Sequence, residues 1–501
     1  MDSNKRIHEI IKKVVIEERE ICLEIFFALK EKKKILSEIF GNNHNIYNIF
    51  FYDILKIFTQ ILLKNYEYSN KYNLKYFENI NQPNLPYVSN KEIKEKVINL
   101  KGKNFGKKFE SNFRIYLKNL YIFFLNLKNF SFFGKKIYLK GRGITKKNLN
   151  EFSKLKINAS FVPYKRINIK NHQEQVLQIK YHIRDIISSN KTLSKIKNLD
   201  MIVIKHIESF LNKNFLFKTR KNKNCILICN SGIELDIRIT RDEFKANRGK
   251  IINIIHGGSS GVLDEPLWGD DGDNYIADYV VGYGSSYSEN FLDSPYLNIK
   301  NFEYFHRNPE FENLYNSDKK IQNTNLEGSN YYFPTTLRGG NYRHGPYQDI
   351  PDAIYLDWQS HLNKIFKGNV ITKMHPKEKF SFLYEDKMTK KVYGKFVDII
   401  KNADLFIFDY FSTIFVEACA TDKPVIFFDL GIRNINLKSL ELMKKRVVYF
   451  DVINDGIPNR ETILTRVQNE KFNYDFVTKY SISKQIDKKS SGLVSIINKI
   501  L

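Results

Sequence analysis

Leu405-Phe406-Ile407-Phe408-Asp409-Tyr410-Phe411-Ser412-Thr413-Ile414-Phe415-Val416-Glu417 is the stretch that decides the fold of this chain. Four successive apolar residues, Leu405 to Phe408, read as a strand buried on both faces, as in a parallel sheet covered by helices. The turn that follows closes on Ser412-Thr413, small hydroxyl residues suited to a helix start, and Thr413 to Ala420 reads as that helix. Asn369-Val370-Ile371-Thr372-Lys373-Met374 reads as a second strand, stopped by His375-Pro376. Ligands of open α/β sheets bind just outside such carboxyl ends. Free backbone N–H groups and the helix dipole favour an anion at a helix start. The two segments therefore describe a pocket for phosphate groups, gripped by His375, Ser412 and Thr413. Glu417 lies at i+4 from Thr413 on the same helix face, where its carboxylate suits ribose hydroxyls. Asp409 precedes the turn and orients it. The same residues also suit a purely structural N-cap.

Working outward, strands and helices alternate on both sides of this region. Lys136-Ile137-Tyr138-Leu139 and Asn158-Ala159-Ser160-Phe161-Val162 read as strands, and residues 175–188 and 199–211 as helices. Cys225-Ile226-Leu227-Ile228-Cys229, Ile251-Ile252-Asn253-Ile254-Ile255 and Asp278-Tyr279-Val280-Val281-Gly282 follow as strands. Residues 301–328 are polar and poor in pattern, and read as a linker. A new α/β pattern starts at Tyr331-Tyr332-Phe333, continues through a helix from Asp357 to Phe366, and includes Pro424-Val425-Ile426-Phe427-Phe428 as a strand. Strands alternating with helices imply parallel sheets with helices outside. The expected units are a helical region over 1–128, an acceptor-side α/β domain over 129–315 and a donor-binding α/β domain over 316–501. The first unit reads as amphipathic helices over residues 4–40 and 46–64, suited to packing or to docking on a membrane or another subunit.

At 501 residues, with 42% apolar and 27% charged content, the chain is globular and too long for one core. No run reaches the roughly 18–20 apolar residues that span a bilayer. The N-terminus, Met1-Asp2-Ser3-Asn4-Lys5-Arg6, lacks the apolar core of a signal peptide. Cys22, Cys225, Cys229 and Cys419 match no zinc spacing and sit in apolar runs, as buried free thiols of a reducing cytoplasm do. The net charge of +25 is spread along the chain. It suits a solvated surface or contact with anionic lipid or an anionic glycan. No RNA- or DNA-binding motif accompanies it, and the aromatics lie mostly in apolar runs instead of a stacking platform.

Three further segments carry chemistry. His256 ends an apolar strand and precedes Gly257-Gly258, which permit a sharp turn and close approach to a ligand. A histidine there suits a general base, and equally a structural turn. Arg338, after Pro334-Thr335-Thr336-Leu337 and before Gly339-Gly340, has the fork that fits phosphate oxygens. Residues 264–273 form an acidic loop whose carboxylates suit Mg2+ or a plain surface turn.

At these residues the chain resembles the GT-B-type transferases of bacterial surface polysaccharides. Tyr332-Phe333-Pro334-Thr335-Thr336-Leu337-Arg338 looks like the strand-Pro-Thr-x-Arg element of CDP-glycerol glycerophosphotransferases. His375-Pro376 is similar to the His-Pro motif of those enzymes, of bacterial sialyltransferases and of capsule Kdo transferases. Asp409-Tyr410-Phe411-Ser412-Thr413 with Glu417, then Lys423-Pro424-Val425, resembles their Asp-Tyr-Ser-Ser and Lys-Pro-Val region. His256-Gly257 resembles the His-Gly element whose histidine is taken as the acceptor base. The likeness spans about residues 220–450. Phe411 departs from it, standing where serine is common, and Gly258 and the 264–273 loop have no counterpart in it.

The resemblance implies an α/β fold of two Rossmann-like domains facing a cleft, with an N-terminal helical extension. It implies a glycosyl- or glycerophosphotransferase that takes a CMP- or CDP-linked donor and builds a cell-surface polysaccharide on a polysaccharide or lipid-linked acceptor. His256 would deprotonate the acceptor hydroxyl. Arg338, His375 and the helix dipole would neutralise the leaving group, so no metal or other cofactor is required; Mg2+ is compatible with the site but not predicted. The expected place is the cytoplasm, at the inner face of the membrane, with no nucleic-acid partner. The alternative is a non-catalytic scaffold with a transferase-like fold that binds nucleic acid or membrane.

Overall fold

The structure is a computed structural model. It describes residues 137–140, 159–161, 225–230, 248–255, 277–283, 303–307, 328–334, 352–375, 390–431 and 435–480, with isolated positions between and beyond them. The helical region expected over 1–128 lies outside the described residues, except that Leu120 is helical, and so does the helix expected over 199–211.

The first sheet takes six parallel strands: β1 (Ile137–Lys140), β2 (Ala159–Phe161), β3 (Ile226–Asn230), β4 (Lys250–Ile254), β5 (Tyr279–Tyr283) and β6 (Glu303–Arg307). Their order is β2-β1-β3-β4-β5-β6. Both faces are covered, which is why the strands are near-continuous apolar runs. Ile137, Leu139, Ile226, Ile228, Ile252, Ile254 and Val281 pack on one face. Tyr138, Leu227, Cys229, Ile251 and Val280 pack on the other, against Ile237 of a helical segment. Ile497, helical and 0% exposed, joins the first of these clusters, so the end of the chain returns to the first sheet. β6 corrects the sequence reading of 301–328 as linker. Glu303-Tyr304-Phe305-His306-Arg307 has no long apolar run to read, and it pairs with β5 at the edge of the sheet.

The second sheet also has six parallel strands: β7 (Asn330–Phe333), β8 (Val370–Lys373), β9 (Lys390–Val392), β10 (Leu405–Phe408), β11 (Val425–Asp429) and β12 (Val448–Asp451). Between and after them come α1 (Asp352–Ile365), α2 (Phe396–Ile399), α3 (Thr413–Cys419), α4 (Leu437–Lys444), α5 (Arg460–Asn469) and α6 (Asp475–Tyr480). The sheet order is β12-β11-β10-β7-β8-β9. The chain thus winds outward from β7 through β8 to β9, then crosses back and winds the other way from β10. This is the doubly wound Rossmann order, and its switch point falls between β7 and β10.

Aromatic side chains fill both faces of this sheet. On one, Phe333 stacks on Phe408 with centroids 4.9 Å apart, and Phe415 of α3 meets Phe408 edge-on at 5.3 Å. On the other, Trp358 of α1 meets Phe428 at 5.3 Å, and Phe428 stacks on Phe450 at 5.4 Å. Alternate residues of one strand supply the two faces. β9 and β12 are the strands that sequence reading missed here. β9 is a short, Lys-rich edge, of the kind that discourages edge-to-edge pairing.

The two sheets touch at one described junction. The Asn436 N–H donates to the carbonyl of Val262 at 2.9 Å, and Leu263 bridges Ile435 in antiparallel fashion. Val262, Leu263 and Ile435 are buried there and join the two cores into one apolar cluster. The turn into this junction needs Gly431. Its φ is +65°, its N–H donates to Asp429 Oδ1 at 2.8 Å, and a Cβ there would lie 2.9 Å from Ile453.

Candidate functional site

The switch point sets the site, because in a doubly wound sheet the connections on its two sides leave in opposite directions and a crevice forms at the carboxyl ends there. Four strand ends line up along this edge in the order β11, β10, β7, β8. They deliver Asp429, then Asp409 to Ser412, then Pro334, then Met374 and His375. Neighbouring strands run about 4.8 Å apart, so the exits of β8 and β10 lie on the order of 10 Å apart across β7. Two segments 34 positions apart in number, His375 and Asp409, thus reach one edge.

Asp409 is 2% exposed and turned into the fold. Its Oδ2 accepts a hydrogen bond from the Tyr332 hydroxyl of β7 and one from Trp358 Nε1 of α1 at 2.9 Å. Two donors from two elements fix the exit of β10 to its neighbour and to the covering helix. Asp409 thus ties the start of the turn after β10 to β7 and α1. Sequence reading placed Tyr332 in a strand and Trp358 in a helix but gave neither this role, since no sequence pattern marks a carboxylate partner.

Ser412 is the N-cap of α3. Its φ and ψ are −147° and 169°, and its Oγ accepts from the Phe415 N–H at 3.3 Å. The capping alternative is therefore realised; the hydroxyl proton of a capping serine still serves as a donor. Phe411, the residue that departs from the family pattern, is 2% exposed and packs on Phe415 with centroids 4.9 Å apart. It is an apolar anchor for the turn. Thr413 and Glu417 sit on α3, both half-buried, and His375 is half-buried just beyond β8. His256, Gly257, Gly258, Arg338 and the 264–273 loop lie outside the described residues.

The far end of α3 is held by Arg446, which is 0% exposed. Its Nε donates to the Cys419 carbonyl at 2.7 Å, and its Nη2 to those of Thr421 and Lys423 at 2.9 and 3.1 Å. A guanidinium on the last carbonyls suits the negative end of the helix dipole. Burial pushes the Cys419 thiol up to about 12, against the pull of Arg446, so it is inert at neutral pH. Cys225, Cys229 and Cys419 are all free and buried, as the sequence implied, and Cys22 lies outside the described residues.

On the β11 side, the Tyr449 hydroxyl donates to Asp429 Oδ2 at 2.6 Å, and burial together with the neighbouring Asp429 charge raises its pKa. Lys373 ends β8, 3% exposed, with Nζ donating to the Met374 carbonyl at 3.0 Å. Burial lowers its pKa. Among the described residues no group of three or more His, Cys, Asp or Glu is arranged to hold a metal, and no helix is long and apolar enough to cross a membrane.

No protein-family model matches the chain, and no curated protein matches it in sequence. Solved structures similar to it include Anabaena HepE in complex with UDP and glucose, at 10% identity over 73% of this chain and 97% of that one, TM-score 0.37. They include the wall teichoic acid polymerase TagF, at 12% identity over 74% and 89%, TM-score 0.32. S. aureus MnaA in a co-structure with UDP is a third, at 11% identity over 73% and 96%, TM-score 0.37. Likenesses this distant assign no family. What the site can do follows from its own strand ends.

Proposed function

We propose that the chain is a nucleotide-donor transferase, a glycosyl- or glycerophosphotransferase of cell-surface polymer synthesis. In this reading the second sheet holds a CMP- or CDP-linked donor and the first holds a polysaccharide or lipid-linked acceptor. One observation carries it: the doubly wound second sheet has its switch point at β7 and β10, with His375 one strand away and Ser412 to Glu417 on the helix that leaves β10. Nucleotides bind such crevices.

The roles are those that the sequence assigns. His375 and the Ser412 and Thr413 hydroxyls take the donor's phosphate oxygens, joined by Arg338. Glu417, one turn into α3, accepts from ribose hydroxyls. His256 removes the acceptor's hydroxyl proton as the new bond to the donor group forms. The bond between that group and the nucleotide phosphate breaks, and the electron pair stays on the phosphate. Positive groups and N–H donors then stabilise the charge that develops there, without an obligatory metal. The junction of Val262 with Asn436 supports a cleft between the two sheets, because it docks the segment six residues beyond His256 against the start of α4. The basic chain suits peripheral contact with an anionic membrane at the inner face of the cell membrane.

Thermal stability against CMP, CDP, UDP, GDP and ADP, with and without Mg2+, tests this reading. A ligand at about 100 times its dissociation constant adds roughly 2.7 kcal/mol, a readily seen shift. A selective shift with a cytidine nucleotide is the expected result. A shift with UDP, GDP or ADP alone keeps the transferase and overturns the donor. No shift with any nucleotide overturns the reading in favour of a scaffold.

A further inference from the structure

Lysine is seldom fully buried without a counter-charge, because an ammonium loses its hydration there. Lys373 breaks that rule at the edge of the site. It alternates with Thr372, so it shares a face of β8 with Ile371, which packs in the cluster of Tyr331 and Phe333. Its Nζ meets one neutral acceptor, the Met374 carbonyl at 3.0 Å, and no carboxylate among the described residues pairs with it. An ammonium has three protons to place, and one carbonyl satisfies one of them. The bond draws the charge toward the carboxyl end of β8. There it stands two residues from His375 and one strand from the exit of β7. Burial disfavours its charged form, a cost that the chain's own described groups do not offset.

We propose that Lys373 binds the phosphate of the nucleotide, as the buried cation that meets the anion on the β8 side of the switch point. This rests on the nucleotide reading above and adds a residue that it did not include. The Ser412 side of the crevice supplies neutral donors; Lys373 supplies a full charge opposite them. The bound phosphate takes the place of missing carboxylate, and the ammonium keeps the Met374 carbonyl as its second partner.

The test compares wild type, K373M and K373R by thermal shift and calorimetric titration with CDP, UDP, GDP, ADP and inorganic pyrophosphate. Met matches the length of the lysine stem without its charge. The expected result is a K373M protein as stable as wild type or more so, with its affinity for the diphosphate reduced at least tenfold, and with binding partly restored in K373R. A structural lysine would change the melting temperature and leave the diphosphate affinity alone; that outcome overturns the proposal. Wild type that binds none of the probes overturns the nucleotide reading first, and Lys373 with it. If K373M fails to fold, K373Q gives the same comparison with a neutral polar side chain.

Discussion

The two sheets are built from similar apolar runs, yet they are locked in different ways. The first is aliphatic: Ile137, Leu139, Ile226, Ile228, Ile252 and Ile254 stack into a face closed by Ile497. The second is aromatic and adds polar locks at its carboxyl edge, Asp409 with Tyr332 and Trp358 in the core, and Asp429 with Tyr449 partly buried. Aliphatic packing is non-directional and tolerates small shifts. A buried hydrogen bond fixes position, because leaving its donors unsatisfied costs more than the bond returns. These bonds hold the carboxyl ends of β10 and β11 to their neighbours, the rigidity that a binding site built on strand ends requires.

The comparison breaks first at Asp409. Asp409→Ala strands the Tyr332 hydroxyl and the Trp358 indole in the core, and should cost about 3–5 kcal/mol, at about 1–3 kcal/mol for each buried donor together with the lost packing. Urea unfolding measures it, and Asp409→Asn, which keeps an acceptor, should recover part of the loss. Next comes Ile497→Ala, expected to cost about 2–4 kcal/mol by leaving a cavity in the first core. If the sheets unfold in separate transitions, Asp409→Ala moves one and Ile497→Ala the other. A single transition shifted by both would mean that the Val262 and Asn436 junction couples the cores.

Lys373→Met has the opposite sign. A lysine whose folded pKa is lowered binds fewer protons folded than unfolded over the interval between the two values, so its penalty is full below the folded pKa and fades as pH rises to the unfolded value of about 10.5. The stability gained by Lys373→Met should accordingly be largest near neutrality and shrink towards pH 10.5. A gain that does not change with pH would assign it to packing. The smallest effect is expected of Ser412→Gly. Glycine caps nearly as well, so stability should fall by only a few tenths of a kcal/mol. Nucleotide affinity should fall further, and an unchanged affinity would leave Ser412 as a cap alone.

Much of this was open to reading in the chain itself. A continuous apolar run such as Cys225 to Cys229 or Leu405 to Phe408 has no polar face to leave in water, so it must be a strand covered on both sides. Nine of the twelve described strands were read from apolar or largely apolar runs, and the hydroxyl pair at 412–413 marks the start of α3. Of the three that were missed, β12 does carry an apolar run, Val448-Tyr449-Phe450, and the other two do not. β6 and β9 are edges held by backbone hydrogen bonds, and such bonds leave no mark on side-chain composition.

The sequence by itself determined that this is an α/β chain with strand ends bearing His375 and Asp409 to Glu417, because burial and helix capping are local properties of residue type and spacing. Strand order is not local. Only the tertiary structure decided that β7 and β10 are neighbours, which places the switch point between Pro334 and Asp409. Only it showed that Asp409 meets Trp358 of the covering helix, that Arg446 closes the far end of α3, and that Lys373 is buried with a carbonyl for company. Each of these joins residues far apart in the chain, and the energy that joins them is gained on packing, after the local pattern has been written.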